Sequence, residues 1–109
     1  LEKLLESKDD EINKLRDALV NNPNSIEILI EISNKLYYLE KYDESVAYCL
    51  DVLQIDNNNK FAYNNMCACY NQKKQWVKAE KACKRALEID PNFEIAKNNL
   101  NWALNSINK

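Results

Sequence analysis

The 109-residue sequence contains no glycine, no histidine and only two prolines. The lack of glycine disfavours β-hairpins, because the tight turns that join their strands need residues with positive φ. The lack of histidine removes the Ser-His-Asp and Cys-His catalytic arrangements and every zinc site that uses histidine. No run of about 18 apolar residues is present, so the sequence predicts no direct membrane insertion. With no glycine, the 17 asparagines are expected to supply most turns.

What the sequence does contain is a repeat. The stretch LESKDDEI at 5–12 returns 34 positions later as LEKYDESV at 39–46, and LQIDNNN at 53–59 returns with the same step as LEIDPNF at 87–93. Within each period the apolar residues recur every three or four positions, as at Leu29, Ile32 and Leu36, which predicts helices. We predict helices at 10–21, 26–39, 43–55, 60–73, 77–89 and 93–107, with the end of another at 1–6.

The first twenty residues permit two interpretations. A turn near Ser7 is favoured, because the LESKDDEI echo falls where the repeat places a turn. The alternative is one continuous helix over 1–20 that pairs with another chain, because the apolar residues there follow a heptad-like series. That series consists of Leu1, Leu5, Ile12, Leu15 and Leu19.

The pattern resembles the tetratricopeptide repeat, a 34-residue unit of two helices with small and aromatic residues at fixed positions. The positions that carry the resemblance between 60 and 93 are Tyr63, Met66, Cys67, Tyr70, Ala79, Cys83, Ala86 and Pro91. The resemblance implies an all-α fold, with antiparallel helix pairs stacked in a right-handed superhelix. We predict a single domain over 1–109. It comprises a partial upstream repeat at 1–25, repeats at 26–59 and 60–93, and a capping or incomplete-repeat helix at 94–109.

The four cysteines do not have the spacing of a metal site. Cys49 and Cys83 occupy the same position of the repeat, so we predict that all four thiols are reduced and buried as small packing residues. Acidic clusters such as Asp9-Asp10-Glu11 stand where a helix start favours negative charge. The sequence therefore predicts a protein that is not an enzyme and has no metal or other cofactor.

Acidic and basic residues are unevenly distributed between the two halves of the chain. Residues 1–59 carry 6 basic and 13 acidic side chains, whereas residues 60–109 carry 9 basic and 4 acidic ones. Lys78, Lys81 and Arg85 are expected on the outer surface as a solvated stripe. Because no aromatic residues interleave with these cations in the sequence, nucleic acid is not a predicted partner.

The resemblance also implies a binding surface. In such superhelices the first helix of each pair lines a concave groove that accepts a peptide or a partner's helix. Two asparagines, Asn34 and Asn65, match positions used by repeat domains that clamp a terminal carboxylate, but Ile30, Ile95 and Asn99 replace the cations that such a clamp needs. The peptide-binding residues that we predict are Asn34, Tyr37, Tyr38, Phe61, Asn64, Asn65, Asn98, Asn99 and Trp102.

Two classes of function follow. The first is a module that binds an extended peptide or partner helix in the groove. The second is a structural segment of a longer array, which self-associates through end helices, or a regulatory arm of a larger enzyme. The Asn65 and Asn99 pair resembles the asparagine ladder of the O-linked N-acetylglucosamine transferase, a glycosyltransferase. The sequence does not begin with methionine and reads as a fragment, and we expect a cytoplasmic protein.

Overall fold

The computed structural model describes the backbone of residues 2–109 and the side chains of residues 9–109. Over this range the chain forms six α-helices and no strand. Neighbouring helices pack as antiparallel pairs, and none is long and apolar enough to cross a membrane. The helices are α1 (Glu2–Asn21), α2 (Ile26–Tyr38), α3 (Tyr42–Ile55), α4 (Lys60–Gln72), α5 (Trp76–Ile89) and α6 (Glu94–Ile107).

The prediction of a turn near Ser7 is wrong, because α1 runs without a break from Glu2 to Asn21. No glycine or proline interrupts this stretch before Pro23, and its Glu, Lys, Leu and Arg residues are good helix formers. The continuous helix is therefore the alternative that the structure adopts. The side chains of Leu1 and Leu5, which belong to the heptad-like series, lie outside the described residues.

Short polar side chains set the starts of α2 and α4. Ser25 Oγ accepts a hydrogen bond of 3.3 Å from the Ile28 amide, and Asn59 Oδ1 accepts one of 3.0 Å from the Ala62 amide. Each bond satisfies an N–H group that the first helical turn leaves unpaired. These caps explain why α2 and α4 begin at the same position of the repeat.

The turns within the helix pairs α2/α3 and α4/α5 do not contain the asparagines that the sequence analysis expected in most turns. Glu40 and Lys74, 34 positions apart, have φ of 61° and 60°. Positive φ favours glycine or asparagine, and the chain has no glycine. The asparagines at 57–59 lie instead in the turn between pairs, where Asp56 Oδ1 accepts from the Asn58 amide. Asparagine therefore supplies one class of turn and not the other.

Small residues allow the helices of a pair to approach closely. Ser33 on α2 and Ser45 on α3 are fully buried, with 2.9 Å between their Oγ atoms, and Ser33 Oγ lies 3.1 Å from Cys49 Sγ. Ser45 Oγ also donates to the Ser33 carbonyl at 2.8 Å. These contacts satisfy the buried hydroxyls and fix how α3 packs on α2.

The prediction of four reduced thiols is wrong for two of them. Cys67 on α4 and Cys83 on α5 form a disulfide, whereas Cys49 and Cys69 are free. All four are buried as predicted. Cys67 and Cys83 stand 34 positions after Ser33 and Cys49, so both helix pairs bring the same two positions into contact. A second cysteine at the first of these positions turns that contact into a covalent bond.

Candidate functional site

Helices α2, α4 and α6 form one continuous surface. Helix α4 contacts both α2 and α6, whereas α3 and α5 each pack on α4 and have no Cα atoms within 8 Å of each other. Because α2, α4 and α6 are more closely spaced than α3 and α5, they line the inner, concave side of the array, and α3 and α5 lie on its outer side. The sequence-predicted binding residues all belong to these three inner helices.

A cavity of about 340 Å³ opens on this inner surface, and we call it the inner groove. No charged side chain is among its lining residues. Six of the nine predicted site residues line it, together with Ala68 and Ile95. Those six are Asn34, Tyr37, Tyr38, Asn64, Asn65 and Asn99.

Asparagines pair with one another across the inner helices. Asn65 Nδ2 donates to Asn34 Oδ1 at 2.8 Å, which links α4 to α2, and Asn99 Nδ2 donates to Asn64 Oδ1 at 3.0 Å, which links α6 to α4. In the described part of the chain, no hydrogen bond uses Asn34 Nδ2 or the Oδ1 atoms of Asn65 and Asn99. Asn64 is 7% exposed, so its amide serves mainly the packing. The other three retain polar atoms that can bind a ligand.

Tyrosines form one end of the inner groove. The rings of Tyr37 and Tyr38 meet edge to face with 5.4 Å between their centroids. Tyr37 is held in place, because its hydroxyl accepts from Gln72 Nε2 at 2.9 Å and its ring packs against Tyr42. Tyr38 is 69% exposed and offers a large apolar surface at the rim.

Phe61 lies in a second cavity, of about 480 Å³, which we call the acidic pocket. Asn34 lines both cavities, so the two are adjacent. Phe61 is 49% exposed and packs edge to face on Phe93. The remaining lining residues are Ile26, Glu27, Ile30, Glu31 and Asn59. Glu27 and Glu31 give this end of the surface a negative charge.

Asn98 and Trp102 do not line either cavity. Asn98 is exposed beside Asn99, but successive residues of a helix point about 100° apart. Trp102 is 39% exposed, with its ring centroid 6.2 Å from that of Trp76 on α5. The structure therefore places these two predicted residues beside the inner groove rather than in it.

The lining of the two cavities offers a carboxylate no cation. Ile30 lines the acidic pocket, Ile95 and Asn99 line the inner groove, and none of the described lysine or arginine side chains lines either. A terminal carboxylate would lose water here without a charged partner to replace it. Across residues 9–109 there is also no group of three or more Cys, Asp or Glu side chains that could hold a metal ion.

The outer surface carries a feature that the sequence analysis missed. A cavity of about 340 Å³, the basic hollow, lies between α4 and α5. Lys78 Nζ lies 5.8 Å from the centroid of the Tyr70 ring, and Arg85 Cζ lies 5.5 Å from that of Tyr63. Aromatic rings therefore do interleave with these cations, but they come from the neighbouring helix. The full lining is Tyr63, Met66, Tyr70, Lys78, Lys81, Ala82 and Arg85.

Comparison with known proteins finds similarity to one repeat family. A family model of the tetratricopeptide repeat matches residues 61–93. No curated protein sequence matches the chain. Solved structures match over most of its length. The first TPR of Spaghetti (RPAP3), bound to the HSP90 peptide SRMEEVD, is 18% identical with a TM-score of 0.89, and the match covers 94% of this chain and 82% of that one.

Two further structures show the same fold. The second TPR domain of human RPAP3, in complex with the HSP70 peptide SGPTIEEVD, is 12% identical with a TM-score of 0.82, and the match covers 89% of this chain and 81% of that one. MamA is 17% identical with a TM-score of 0.85, and the match covers 93% of this chain but 59% of MamA. The predicted resemblance to the tetratricopeptide repeat is thus confirmed: residues 61–93 match the model of that repeat, and the described helices together have the same fold as the solved TPR domains.

Proposed function

We propose that the chain is a non-catalytic protein-interaction module that binds an extended peptide segment along the inner groove and the acidic pocket. The observation that carries this proposal concerns the side-chain amides of Asn34 on α2, Asn65 on α4 and Asn99 on α6. Each forms one hydrogen bond with a neighbouring asparagine and, among the described residues, keeps a second polar atom without one. The RPAP3 domains, which have the same fold, are described in complex with peptides. We also propose that residues 26–59 and 60–93 are two complete repeats, each of which contributes one inner helix to the binding surface.

The asparagines suit a peptide main chain. An extended peptide presents N–H and C=O groups that have no partner of their own. Asn34 Nδ2 can donate to such a carbonyl, and the Oδ1 atoms of Asn65 and Asn99 can accept from such amides. Because each asparagine is already held by a neighbour, its free atom is oriented before the peptide arrives. Less side-chain entropy is then lost on binding.

The charges select the kind of peptide. The inner groove is uncharged, and Glu27 and Glu31 make the adjoining pocket acidic. A neutral segment that carries a lysine or arginine at one end therefore fits both parts. The peptides bound by the RPAP3 domains end in the acidic sequence EEVD, which would meet Glu27 and Glu31 without any lining cation. We expect such peptides to bind at least about tenfold more weakly than neutral or basic ones.

A peptide array with neutral, basic and acidic members, followed by fluorescence titration of the best binder, tests the proposal. Asn65→Ala and Asn99→Ala should each weaken binding by roughly tenfold. Asn98→Ala is the matched control, because Asn98 is on the same helix as Asn99 but does not line the cavities. Glu31→Lys should reduce the preference for basic peptides. Trp102→Ala tests whether the predicted aromatic anchor contributes from beside the groove.

The groove proposal would be contradicted if Asn65→Ala and Asn99→Ala bind like the wild type. It would also be contradicted if the acidic peptide SRMEEVD bound more tightly than the neutral and basic members. In the second case, cations outside the lined cavities would have to hold the carboxylates. Circular dichroism of each variant should show unchanged helix content, because all of the substituted side chains are exposed or half-buried.

A further inference from the structure

The outer helices α3 and α5 carry opposite charges at equivalent positions of the repeat. Glu44, Ala47 and Asp51 are exposed on α3 at steps of three and four residues, and we call them the acidic stripe. Lys78, Lys81 and Arg85 follow 34 positions later on α5, as the basic stripe. Glu44 thus becomes Lys78, and Asp51 becomes Arg85. On both helices the end residues of the stripe are seven positions, or about 10.5 Å, apart.

Most charges of the two stripes are not neutralised inside the chain. Among the described residues, Glu44, Asp51, Lys78 and Lys81 form no hydrogen bond or ion pair with another side chain, and no Cα atom of α3 lies within 8 Å of one of α5. Arg85 pairs with Glu88 at 3.2 Å and donates to Asn58 at 2.8 Å, both at the surface. Lys78 and Arg85 also lie over the Tyr70 and Tyr63 rings, but these contacts do not neutralise the charge of either stripe.

The basic stripe borders an apolar surface. Tyr63, Met66 and Tyr70 of α4 line the basic hollow together with the three cations, and none of the acidic side chains within 9–109 lines it. On the acidic side, Leu50 precedes Asp51 and is 48% exposed. Each stripe thus adjoins apolar area that a partner of opposite charge would cover.

We propose that this outer face binds a second copy of the same chain, with the acidic stripe of each copy against the basic stripe of the other. Helices α3 and α5 run in the same direction, because each is antiparallel to α4. A two-fold axis parallel to them therefore exchanges the stripes between copies. Glu44 then faces Lys78 of the second copy and Asp51 faces its Arg85, and each pair occurs twice.

The association should be weak and sensitive to salt. The ion pairs stay near solvent, where each contributes little, and two outer faces of curved arrays touch over a limited area. Added salt screens such pairs over about 8–10 Å at moderate ionic strength. We expect the dissociation constant to rise at least about tenfold when salt is raised from low to roughly molar concentration.

A charge exchange between two variants tests the proposal with the chain alone as the probe. The acidic variant Lys78→Glu/Arg85→Glu has two negative stripes, and the basic variant Glu44→Lys/Asp51→Arg has two positive ones. Each should sediment as a monomer on its own. An equimolar mixture should form a heterodimer, because every stripe then faces its opposite.

A matched control makes the same change of charge away from both stripes. Glu40→Lys/Glu94→Lys alters the net charge as much as the basic variant, but these residues lie on neither stripe and line neither the inner groove nor the acidic pocket, so this variant should self-associate like the wild type. Analytical ultracentrifugation across salt concentrations, with circular dichroism to check folding, gives the measurement.

Restored association in the mixture, with both single variants monomeric, supports the proposal. A wild type that remains monomeric at low salt up to roughly millimolar chain concentration would overturn it. Folded variants that do not associate when mixed would overturn it as well. If the wild type stays monomeric while an acidic peptide or a nucleic acid binds in a Lys78- and Arg85-dependent manner, the stripe serves another partner and the proposal fails. None of these outcomes depends on peptide binding in the inner groove.

Discussion

The disulfide between Cys67 and Cys83 should supply a large share of the stability of this small domain. The helix pair before it shows how to remove the bond with little disturbance. At the equivalent positions, Ser33 Oγ and Cys49 Sγ lie 3.1 Å apart and are fully buried. The substitution Cys67→Ser therefore reproduces a side-chain pair that the fold already accommodates, and it removes the cross-link.

The size of the effect follows from the loop that the bond closes. The two cysteines are 16 positions apart, and closing a loop of that length stabilises the fold by about 3 kcal/mol through the entropy of the unfolded chain. A serine–thiol hydrogen bond should return no more than about 1 kcal/mol. We expect Cys67→Ser to lower the free energy of unfolding by about 2–3 kcal/mol. At about 4–8 °C per kcal/mol, the melting temperature should fall by roughly 10–20 °C.

Urea unfolding, followed by circular dichroism with and without a reducing agent, gives the measurement. The reducing agent should bring the wild type close to the stability of Cys67→Ser and should leave Cys67→Ser unchanged. Thiol titration of the urea-unfolded, unreduced wild type should find two thiols, those of Cys49 and Cys69. Four thiols, or a wild type that a reducing agent does not destabilise, would refute the reasoning and restore the expectation from the sequence.

Three further predictions concern single groups. Ser45→Ala should cost about 1–3 kcal/mol of unfolding free energy because it breaks a buried hydrogen bond, whereas Ser106→Ala, at the surface, should change it by less than about 0.5 kcal/mol in the same urea experiment. Burial raises the pKa of Cys49 to about 12, so native Cys49 should react with thiol reagents no faster than the protein opens; rapid labelling at neutral pH would contradict this. The hydrogen bond from Lys60, at 2.6 Å, lowers the pKa of Asp90, so the pair stabilises the fold above the ordinary carboxyl pKa and loses this effect as pH falls through the lowered value. An NMR titration should show the Asp90 midpoint rising in Lys60→Met.

The helices could be predicted because the spacing of apolar residues within one short segment is enough to indicate a helix. Apolar residues such as Leu29, Ile32 and Leu36 recur at helical steps, and all three are buried in the structure. The turn near Ser7 was predicted from the repeat alone. In the complete pairs that turn includes a residue with positive φ, Glu40 or Lys74. The equivalent position is Glu6. Glu40 shows that glutamate can also adopt the turn conformation, so the residue type at this position does not decide between a turn and a continuous helix.

The sequence predicted which residues lie on the inner helices, but it did not predict the hydrogen bonds between them. The position of Asn34, Asn65 and Asn99 on inner helices follows from the repeat, and the structure brings all three to one cavity. Whether an asparagine pairs with a neighbour or faces solvent depends on distances between helices. A sequence pattern does not contain those distances. Asn98 shows the same limit, because one residue along a helix moves a side chain to another face.

The disulfide and the basic hollow were missed for a common reason: each depends on a contact between helices that the sequence shows only as a spacing. Cys67 and Cys83 are 16 positions apart, and so are Ser33 and Cys49. That shared spacing is the signal that could have been used, because a contact made in one helix pair is expected in the next. The repeat therefore fixes which side chains meet, and the residues at those positions decide the result. Serine with cysteine gives a hydrogen bond, whereas two cysteines give a covalent link whose survival in the cell depends on the redox state of its compartment.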